Sequence, residues 1–326
     1  MNTILLKITI VTGLFLMSAL MAPTVPGPTP EINLSAPPAT AALFAPGIIS
    51  TAFNERDLAV SPDQQEIMYT LGTDDNAFRA IVQIRLKDGK VKQKEIAPFS
   101  GRYSDIEPFY APDGKKLYFS STRPLNDKDV TPDYNIWVAE KINGEWSAEA
   151  TPASFVLNSE MDEYYPSVAA NGNIYFTAAY VTAKGREDIY VSRLLNGQYE
   201  LPVSLDSTIN SVKYEFNAYV SPKEDALVFT SYGRVDDLGG GDLYVSTKDA
   251  SGHWTQARHV SAEINSPQLD YCPFIDFNTK TFYFTSNRPA NVTDKIDLKE
   301  LENILSGPVN GMGNIYSIQL EKLGLK

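Results

Sequence analysis

Apolar residues occur along most of the chain in short runs, and turn residues separate the runs. The runs at residues 117–120, 174–177 and 282–285 are rich in aromatic and β-branched side chains, which favours strands over helices. Asn143-Gly144 follows one such strand and Asn196-Gly197 follows another. Asn-Gly between two apolar runs is a strong indication of a two-residue hairpin turn. The pattern therefore predicts an all-β fold built from antiparallel hairpins.

The same arrangement of strands occurs five times. Each unit has an acidic residue four or five residues after a serine, an inner strand, a turn and two further strands, and in four of the five units the turn contains Pro or Asn-Gly. The acids, called the repeat acids below, are Glu55, Asp105, Glu163, Glu215 and Asp270, and they recur every 50 to 58 residues. Four short antiparallel strands at this period are typical of a β-propeller blade. We predict a five-bladed propeller of four-stranded antiparallel blades, with six blades as the alternative.

The fifth unit ends soon after its third strand, so its outer strand is missing. Residues 43–50, just before the first unit, resemble residues 96–100 at the end of unit one. We expect this N-terminal strand to complete the last blade and to close the ring, which leaves no free sheet edge inside it. A single propeller domain is predicted for residues 42–326.

The first 22 residues have the layout of a signal peptide. Lys7 precedes an apolar stretch over residues 8–21, which is shorter than the roughly 20 apolar residues of a membrane-spanning helix. Small residues follow at Ser18, Ala19 and Ala22, as at a cleavage site. We therefore expect a periplasmic or secreted protein with no transmembrane segment in the mature chain. Residues 23–41 are rich in proline, and we expect a semi-rigid spacer without packed structure.

The charge and the cysteine count exclude several classes of function. Forty acidic residues against 28 basic ones give a net charge of −12, which argues against nucleic acid or an anionic membrane as the partner. The single cysteine, Cys272, excludes an intrachain disulfide. We predict no cofactor, with calcium as an open alternative. Its candidate ligands are Asp127, Asp129 and Asp133 in one loop and Asp236 and Asp237 in another.

Several recurring motifs resemble those of a known family. The turns at Ser61-Pro62-Asp63 and at residues 111–113, the strand at residues 117–121 and Asp188-Ile189-Tyr190 resemble the WD-like propeller repeats of TolB-like periplasmic proteins. The resemblance covers roughly residues 42–323. It implies an exported propeller that binds or scaffolds other molecules, and it brings no catalytic residue with it. The six blades of that family contrast with the five predicted here.

The predicted binding face is the one with the long loops. These loops, at residues 122–134, 178–187, 231–241 and 287–313, lie on the same face as the repeat acids, and variable loops on a rigid scaffold often carry function. The candidate ligand-binding residues are Glu55, Asp105, Glu107, Glu163, Glu215, Asp270, Arg123, Arg234 and Arg288. The alternative is structural, with the arginines and loop N–H groups satisfying the acids. Asp57, Glu107, Tyr165, Asn217 and Cys272, each two residues after a repeat acid, are candidates for the channel lining.

Two functions follow from this arrangement. The first is a monomeric, non-enzymatic binding or scaffold protein that recognises a protein, a peptide or an envelope glycan. The alternative is a glycoside hydrolase, similar to arabinanase-like five-bladed enzymes, with paired carboxylates at the channel mouth. Asp105 with Glu107, and Asp270 across the ring, are then the acids to test. Serine hydrolysis is disfavoured because the chain has no Gly-x-Ser-x-Gly motif.

Overall fold

The computed structural model describes residues 29–73, 75–126, 129 and 133–325, and it shows the five-bladed propeller predicted from the sequence. The predicted signal peptide, residues 1–22, lies outside the described residues. Counted from the axis outward, blade 1 contains Asn54–Val60, Glu66–Gly72, Arg79–Lys87 and Lys90–Ile96. Blade 2 contains Asp105–Tyr110, Lys116–Ser121, Asn135–Ile142 and Thr151–Pro152, and Glu145–Trp146 also pairs with its third strand.

The other three blades repeat the same order. Blade 3 contains Glu163–Val168, Ile174–Ala178, Asp188–Ser192 and Val203–Ser204, with a small hairpin formed by Leu194–Leu195 and Gln198–Tyr199. Blade 4 contains Tyr214–Val220, Ala226–Tyr232, Asp242–Thr247 and Arg258–His259. Blade 5 contains Asp270–Asp276, Thr281–Ser286, Asn314–Gln319 and Ala42–Leu43. The outer strands of four blades are only two residues long, so the inner three strands supply most of each sheet.

The N-terminal strand closes the ring as predicted. Ala42–Leu43 pairs antiparallel with Asn314–Gln319, and the Phe44 N–H donates to the Ile315 carbonyl at 2.8 Å. The Phe44 side chain is 6% exposed and meets Tyr283 edge to face, with 4.9 Å between ring centroids. The first and last strands of the propeller are therefore joined by backbone bonds and by a buried aromatic contact.

The proline-rich segment is packed where the structure describes it, which corrects the expectation of a spacer without packed structure. Ile32 and Leu34 are 2% and 8% exposed. The Ile32 N–H donates to the Gly89 carbonyl at 2.8 Å, and the Val91 N–H donates to the Pro30 carbonyl at 2.9 Å. The outer strand of blade 1 offers free backbone groups at its edge, and two apolar residues at alternate positions bind there.

The core lies between the blades and repeats with them. In blades 3, 4 and 5 an aromatic residue of the second strand stacks on one of the third strand, for example Phe229 on Tyr244 and Phe284 on Tyr316, with centroids 6.1 and 5.7 Å apart. One α-helix, Leu298–Leu305, occurs in the long loop of blade 5 and is capped by the Asp297 side chain. Among the described residues, no helix has the length and apolar character needed to span a membrane.

Candidate functional site

The five repeat acids are buried inside the blades. Each is at most 1% exposed. Each carboxylate accepts a hydrogen bond from a hydroxyl group in the segment that enters its blade. The donors are Thr51, Ser100, Ser159, Ser211 and Ser266. In blade 1 the donor is Thr51 rather than the Ser50 expected from the spacing, because the Ser50 hydroxyl donates to the Ile315 carbonyl.

Three of the repeat acids also pair with an arginine of their own blade. The oxygen-to-nitrogen distances are 2.7 Å for Asp105 with Arg123, 3.0 Å for Glu215 with Arg234 and 2.6 Å for Asp270 with Arg288. Each of these arginines also donates to a backbone carbonyl of the segment that precedes the acid, as Arg123 does to Phe99 at 2.9 Å. These contacts connect the entering segment to the innermost strand. This arrangement matches the structural alternative for these residues.

Of the nine described residues in the candidate ligand-binding set, only Glu107 lines a cavity on the propeller axis. It belongs to a second repeated feature. Asp57, Glu107, Tyr165, Asn217 and Cys272, called the bulge residues below, all have positive φ, between 49° and 62°. In every blade the register of the innermost strand shifts at this point. A β-bulge re-aims a side chain, and here it turns these five side chains toward the axis, as predicted from their variety.

The left-handed backbone is unfavourable for such residues. For Glu, Tyr or Cys it costs about 1–2 kcal/mol each, so the surrounding contacts must hold it in place. The bulge N–H groups of Glu107 and Asn217 each donate at 3.0 Å to a buried threonine of the preceding blade, Thr70 and Thr177. Asp57 donates in the same way to Thr285 at 3.3 Å. The bulges thus connect neighbouring blades and carry strain at one end of the channel, a combination that often marks a functional site.

Four of the bulge residues form one hydrogen-bonded cluster around Arg56. The Arg56 guanidinium donates from Nε to Asp57 at 2.8 Å and from Nη2 to Glu107 at 2.9 Å. The Asn217 amide donates to Glu107 at 3.2 Å, and the Cys272 thiol donates to Asp57 Oδ1 at 2.5 Å. Burial and the neighbouring Asp57 raise the pKa of the Cys272 thiol well above its usual value. The thiol therefore stays protonated and acts as a donor rather than as a nucleophile.

Glu107 has a perturbed pKa. Burial is the main cause and the Asp57 charge adds to it, while Arg56 and the Tyr165 N–H act in the opposite direction. The result is a pKa of about 7, so that Glu107 changes charge near neutral pH. A carboxyl group with such a pKa in a cleft is a candidate functional residue.

The axial cavity has a volume of about 240 Å³ and opens on the long-loop face. Its wall contains the residue that follows each repeat acid, namely Arg56, Ile106, Tyr164, Phe216 and Tyr271, together with the bulge residues Glu107 and Asn217. Arg79, Thr177, Glu187 and Leu269 complete the lining. The Arg56 guanidinium lies 5.0 Å from the centroid of the Tyr271 ring. Glu187 is the second carboxyl group of the cavity, and burial together with the charge of Asp162 raises its pKa.

Sequence reasoning missed Arg56, Arg79, Phe216 and Glu187. One indication was available in the sequence, namely the position that directly follows each repeat acid. It alternates with a buried residue on the innermost strand, and it holds four different residue types in the five blades. Arg79 and Glu187 stand where long loops meet third strands, and single-sequence reasoning gives no reason to choose them from among the other loop residues.

The candidate calcium ligands are partly outside the described residues, since Asp127 and Lys128 are not described. Asp129 accepts the Leu125 N–H at 2.9 Å, and Asp236 and Asp237 both accept from the Tyr244 hydroxyl at 2.7 Å. Within the described ranges, no three acidic, histidine or cysteine side chains converge as a metal site would require. Calcium binding stays a prediction.

No protein-family model matches the chain, and no curated protein matches it. Solved structures with a similar fold include the α-L-arabinofuranosidase PaAbf62A from Podospora anserina, at 11% identity and a TM-score of 0.46 over 89% of this chain and 96% of that one. An α-L-arabinofuranosidase from Lactobacillus brevis is 15% identical, with a TM-score of 0.48 over 83% and 92% of the two chains. A puromycin-hydrolysing peptidase from Mycobacterium tuberculosis is 11% identical, with a TM-score of 0.42 over 75% of this chain and 36% of that one.

This chain therefore spans little more than a third of the peptidase's length, but nearly the whole length of the arabinofuranosidases. Likenesses this remote carry no conclusion about activity. The resemblance to TolB-like proteins stays a prediction.

Replacing Asp105 by Asn tests whether a repeat acid stabilises its blade. The change leaves Arg123, which is 7% exposed, without its carboxylate partner, and breaking a buried ion pair from one side costs about 3–5 kcal/mol. We expect the free energy of unfolding, measured by urea denaturation, to fall by this amount. The exposed Glu160→Gln is the control and should change little. Unchanged or increased stability of Asp105→Asn would instead mark the acid as a functional group held at the expense of stability.

The raised pKa of Glu163 predicts that the stability of the protein depends on pH. It has no arginine partner among the described residues, and burial raises its pKa from 4.5 to about 8. Between these values the folded protein binds more protons than the unfolded chain. The contribution of Glu163 to the free energy of unfolding should therefore be complete below about pH 4.5 and be lost as the pH rises through about 8, with a slope of at most about 1.4 kcal/mol per pH unit.

Glu163→Gln, which imitates the protonated side chain, should make this slope smaller. Glu55 and Glu107, whose pKa values are also raised, should keep the slope from vanishing. Denaturation at a series of pH values measures it, with Glu160→Gln as control. The same slope in Glu163→Gln as in the parent would contradict the assignment.

Proposed function

We propose that the axial cavity binds one sugar unit of a glycan and that the protein is an exported carbohydrate-binding propeller. One observation supports this most directly: three aromatic side chains and six polar, non-aromatic ones line the same small cavity. The aromatic residues are Tyr164, Phe216 and Tyr271, and the polar ones include Arg56, Arg79, Glu107 and Asn217. The proposal of export rests on the signal-like residues 1–22.

A sugar ring has an apolar C–H face and hydroxyl groups at its rim. Aromatic rings match the face, and planar side chains with several donors and acceptors match the hydroxyls. Arg79 is suited to this role because its Nε is buried without a hydrogen-bond partner among the described residues, while its Nη2 donates to the Tyr134 hydroxyl at 2.9 Å. A ligand hydroxyl near Nε would supply the missing acceptor.

Both carboxyl groups of the cluster are engaged in hydrogen bonds, which favours glycan binding over catalysis. Both Glu107 oxygens already accept hydrogen bonds, Oε1 from Arg56 and Asn217 and Oε2 from the Tyr165 N–H. Asp57, the other acid of the cluster, is held by Arg56 and by the Cys272 thiol. A small concave cavity also suits a sugar better than a folded protein, because stable protein partners need a broad contact surface.

Phe216→Ala should weaken glycan binding. The side chain is half-buried and lines the cavity, and the loss of a phenylalanine contact of this kind reduces affinity by roughly tenfold to a hundredfold. Isothermal titration against a panel of neutral oligosaccharides measures the effect. Phe277→Ala is the matched control, since Phe277 is exposed in the turn that follows the innermost strand of blade 5. If no oligosaccharide binds, or if both variants lose affinity equally, the proposal is wrong.

A glycoside hydrolase is the second candidate, and the pKa of Glu107 supports it. A carboxyl group with a pKa of about 7 is partly protonated at neutral pH and can serve as a general acid. Asp105 and Asp270, the partners expected from the sequence, lie inside their blades, and Glu187 is instead the second carboxyl group of the cavity.

If the protein is a hydrolase, Glu107→Gln and Glu187→Gln should each abolish the release of reducing sugar. Activity should fall as the pH rises through about 7, because the acid form of Glu107 is lost. Glu160→Gln should retain full activity. If the parent protein binds oligosaccharides but releases no reducing sugar, the hydrolase is excluded and the non-enzymatic binding function is retained.

A further inference from the structure

A second cavity lies between the outer parts of blades 1 and 2 and shares no residue with the axial cavity. Its volume is about 420 Å³, within the usual range for small-molecule sites. Its wall contains Phe99, Arg102, Tyr103, Arg123 and Trp137. We propose that this cavity, called the blade 1–2 cavity, binds the carboxylate group of a small ligand.

Two arginines contact the same tyrosine in this cavity. The Arg102 and Arg123 guanidinium carbons lie 5.2 and 5.5 Å from the centroid of the Tyr103 ring. Arg123 uses Nε and Nη2 for Ser121, Asp105 and the Phe99 carbonyl, and the N–H groups of Nη1 remain for other acceptors. Arg102 is exposed at the rim. A guanidinium group suits a carboxylate, because it can donate to both carboxylate oxygens at once.

Trp137 supplies an independent indication of a ligand. Its side chain is 6% exposed, and its indole Nε1 has no hydrogen-bond partner among the described residues. A buried N–H without an acceptor is unfavourable and rare. At the equivalent position Tyr244 of blade 4 donates its hydroxyl to Asp236 and Asp237, whereas the buried Tyr190 hydroxyl of blade 3 also has no partner among the described residues. An indole N–H can only donate, so an oxygen atom of a ligand is the partner that it lacks.

The chain that enters blade 2 differs from the other four entering segments. Ser100 precedes Asp105 by five residues, whereas the hydroxyl residue precedes the acid by four in the other blades. Gly101, with φ of +96°, takes up the additional residue. Arg102 and Tyr103 follow it directly, so the insertion places both of them at the cavity. The feature is specific to blade 2 and does not belong to the repeat.

The charges favour a single carboxylate over a more highly charged anion. The chain has a net charge of −12, yet two arginines meet here. Glu149 is exposed at the rim of the same cavity, and Asp105 lies behind Arg123. These acids would repel a second negative charge, so phosphate should bind less well than a carboxylate.

Titration of the full chain with matched probes tests the proposal. The probes are galacturonate against galactose, N-acetyl-dialanine against its C-terminal amide, and inorganic phosphate. In the Phe216→Ala background, in which sugar binding by the axial cavity is weakened, we expect a carboxylate probe to bind and its neutral counterpart not to bind. Tighter binding of galacturonate then identifies a sugar acid as the ligand class. Tighter binding of N-acetyl-dialanine identifies a peptide C-terminus.

Arg102→Gln and Trp137→Phe should each weaken this binding by about tenfold. Trp137→Phe keeps an aromatic ring and removes only the indole N–H, and Arg102 is exposed, so neither change should unfold the blade. Arg186→Gln is the control, because Arg186 is an exposed arginine stacked on Tyr214 in another part of the propeller. Phe216→Ala, in the axial cavity, should also leave the affinity unchanged.

Equal binding of acid and neutral probes would overturn the proposal. So would binding of phosphate as tight as that of the carboxylates, the same loss in Arg186→Gln as in Arg102→Gln, or no binding of either carboxylate.

Discussion

A buried carboxylate in each blade holds the segment that enters the blade against its innermost strand. The carboxylate has almost no contact with solvent, so its stability depends on the hydroxyl, N–H and guanidinium groups around it. In blades 2, 4 and 5 an arginine completes the set, whereas in blades 1 and 3 no arginine of the described chain reaches the acid. Burial raises the pKa values of Glu55 and Glu163.

The position of this acid also determines what reaches the axis. Because the acid points into its blade, the next residue on the strand points toward the channel, and the bulge then turns the following residue to the axis as well. Each blade therefore contributes two consecutive side chains at the same end of the channel. The left-handed backbone of Glu107, Tyr165 and Cys272 is tolerated because contacts with neighbouring blades fix it, and rigid polar groups are what a binding site requires.

The sequence repeats were sufficient to predict the number of blades and the closing strand, because both follow from spacing and from a missing fourth strand. The repeats were not sufficient to predict which residues line the axial cavity. The repeat acids are the most regular polar residues, yet that regularity comes from a structural requirement that every blade shares. The bulge was not predictable, since Glu107, Tyr165 and Cys272 are not residues that normally indicate positive φ. Ile32 and Leu34 were overlooked because the prolines around them dominated the interpretation of that segment.

Departures from the repeat therefore carry more information about binding than the repeat itself. Every blade has the acid and the hydroxyl donor, and blades 3, 4 and 5 share the aromatic stack, so selection for folding accounts for them. Folding does not account for a buried, donor-only indole without a partner, or for an additional residue before Asp105 alone. Nor does it account for the change among Arg, Ile, Phe and Tyr at the position after the repeat acids. Both cavities are lined by residues of this kind, and two separate ligand sites on one rigid propeller follow from the same argument.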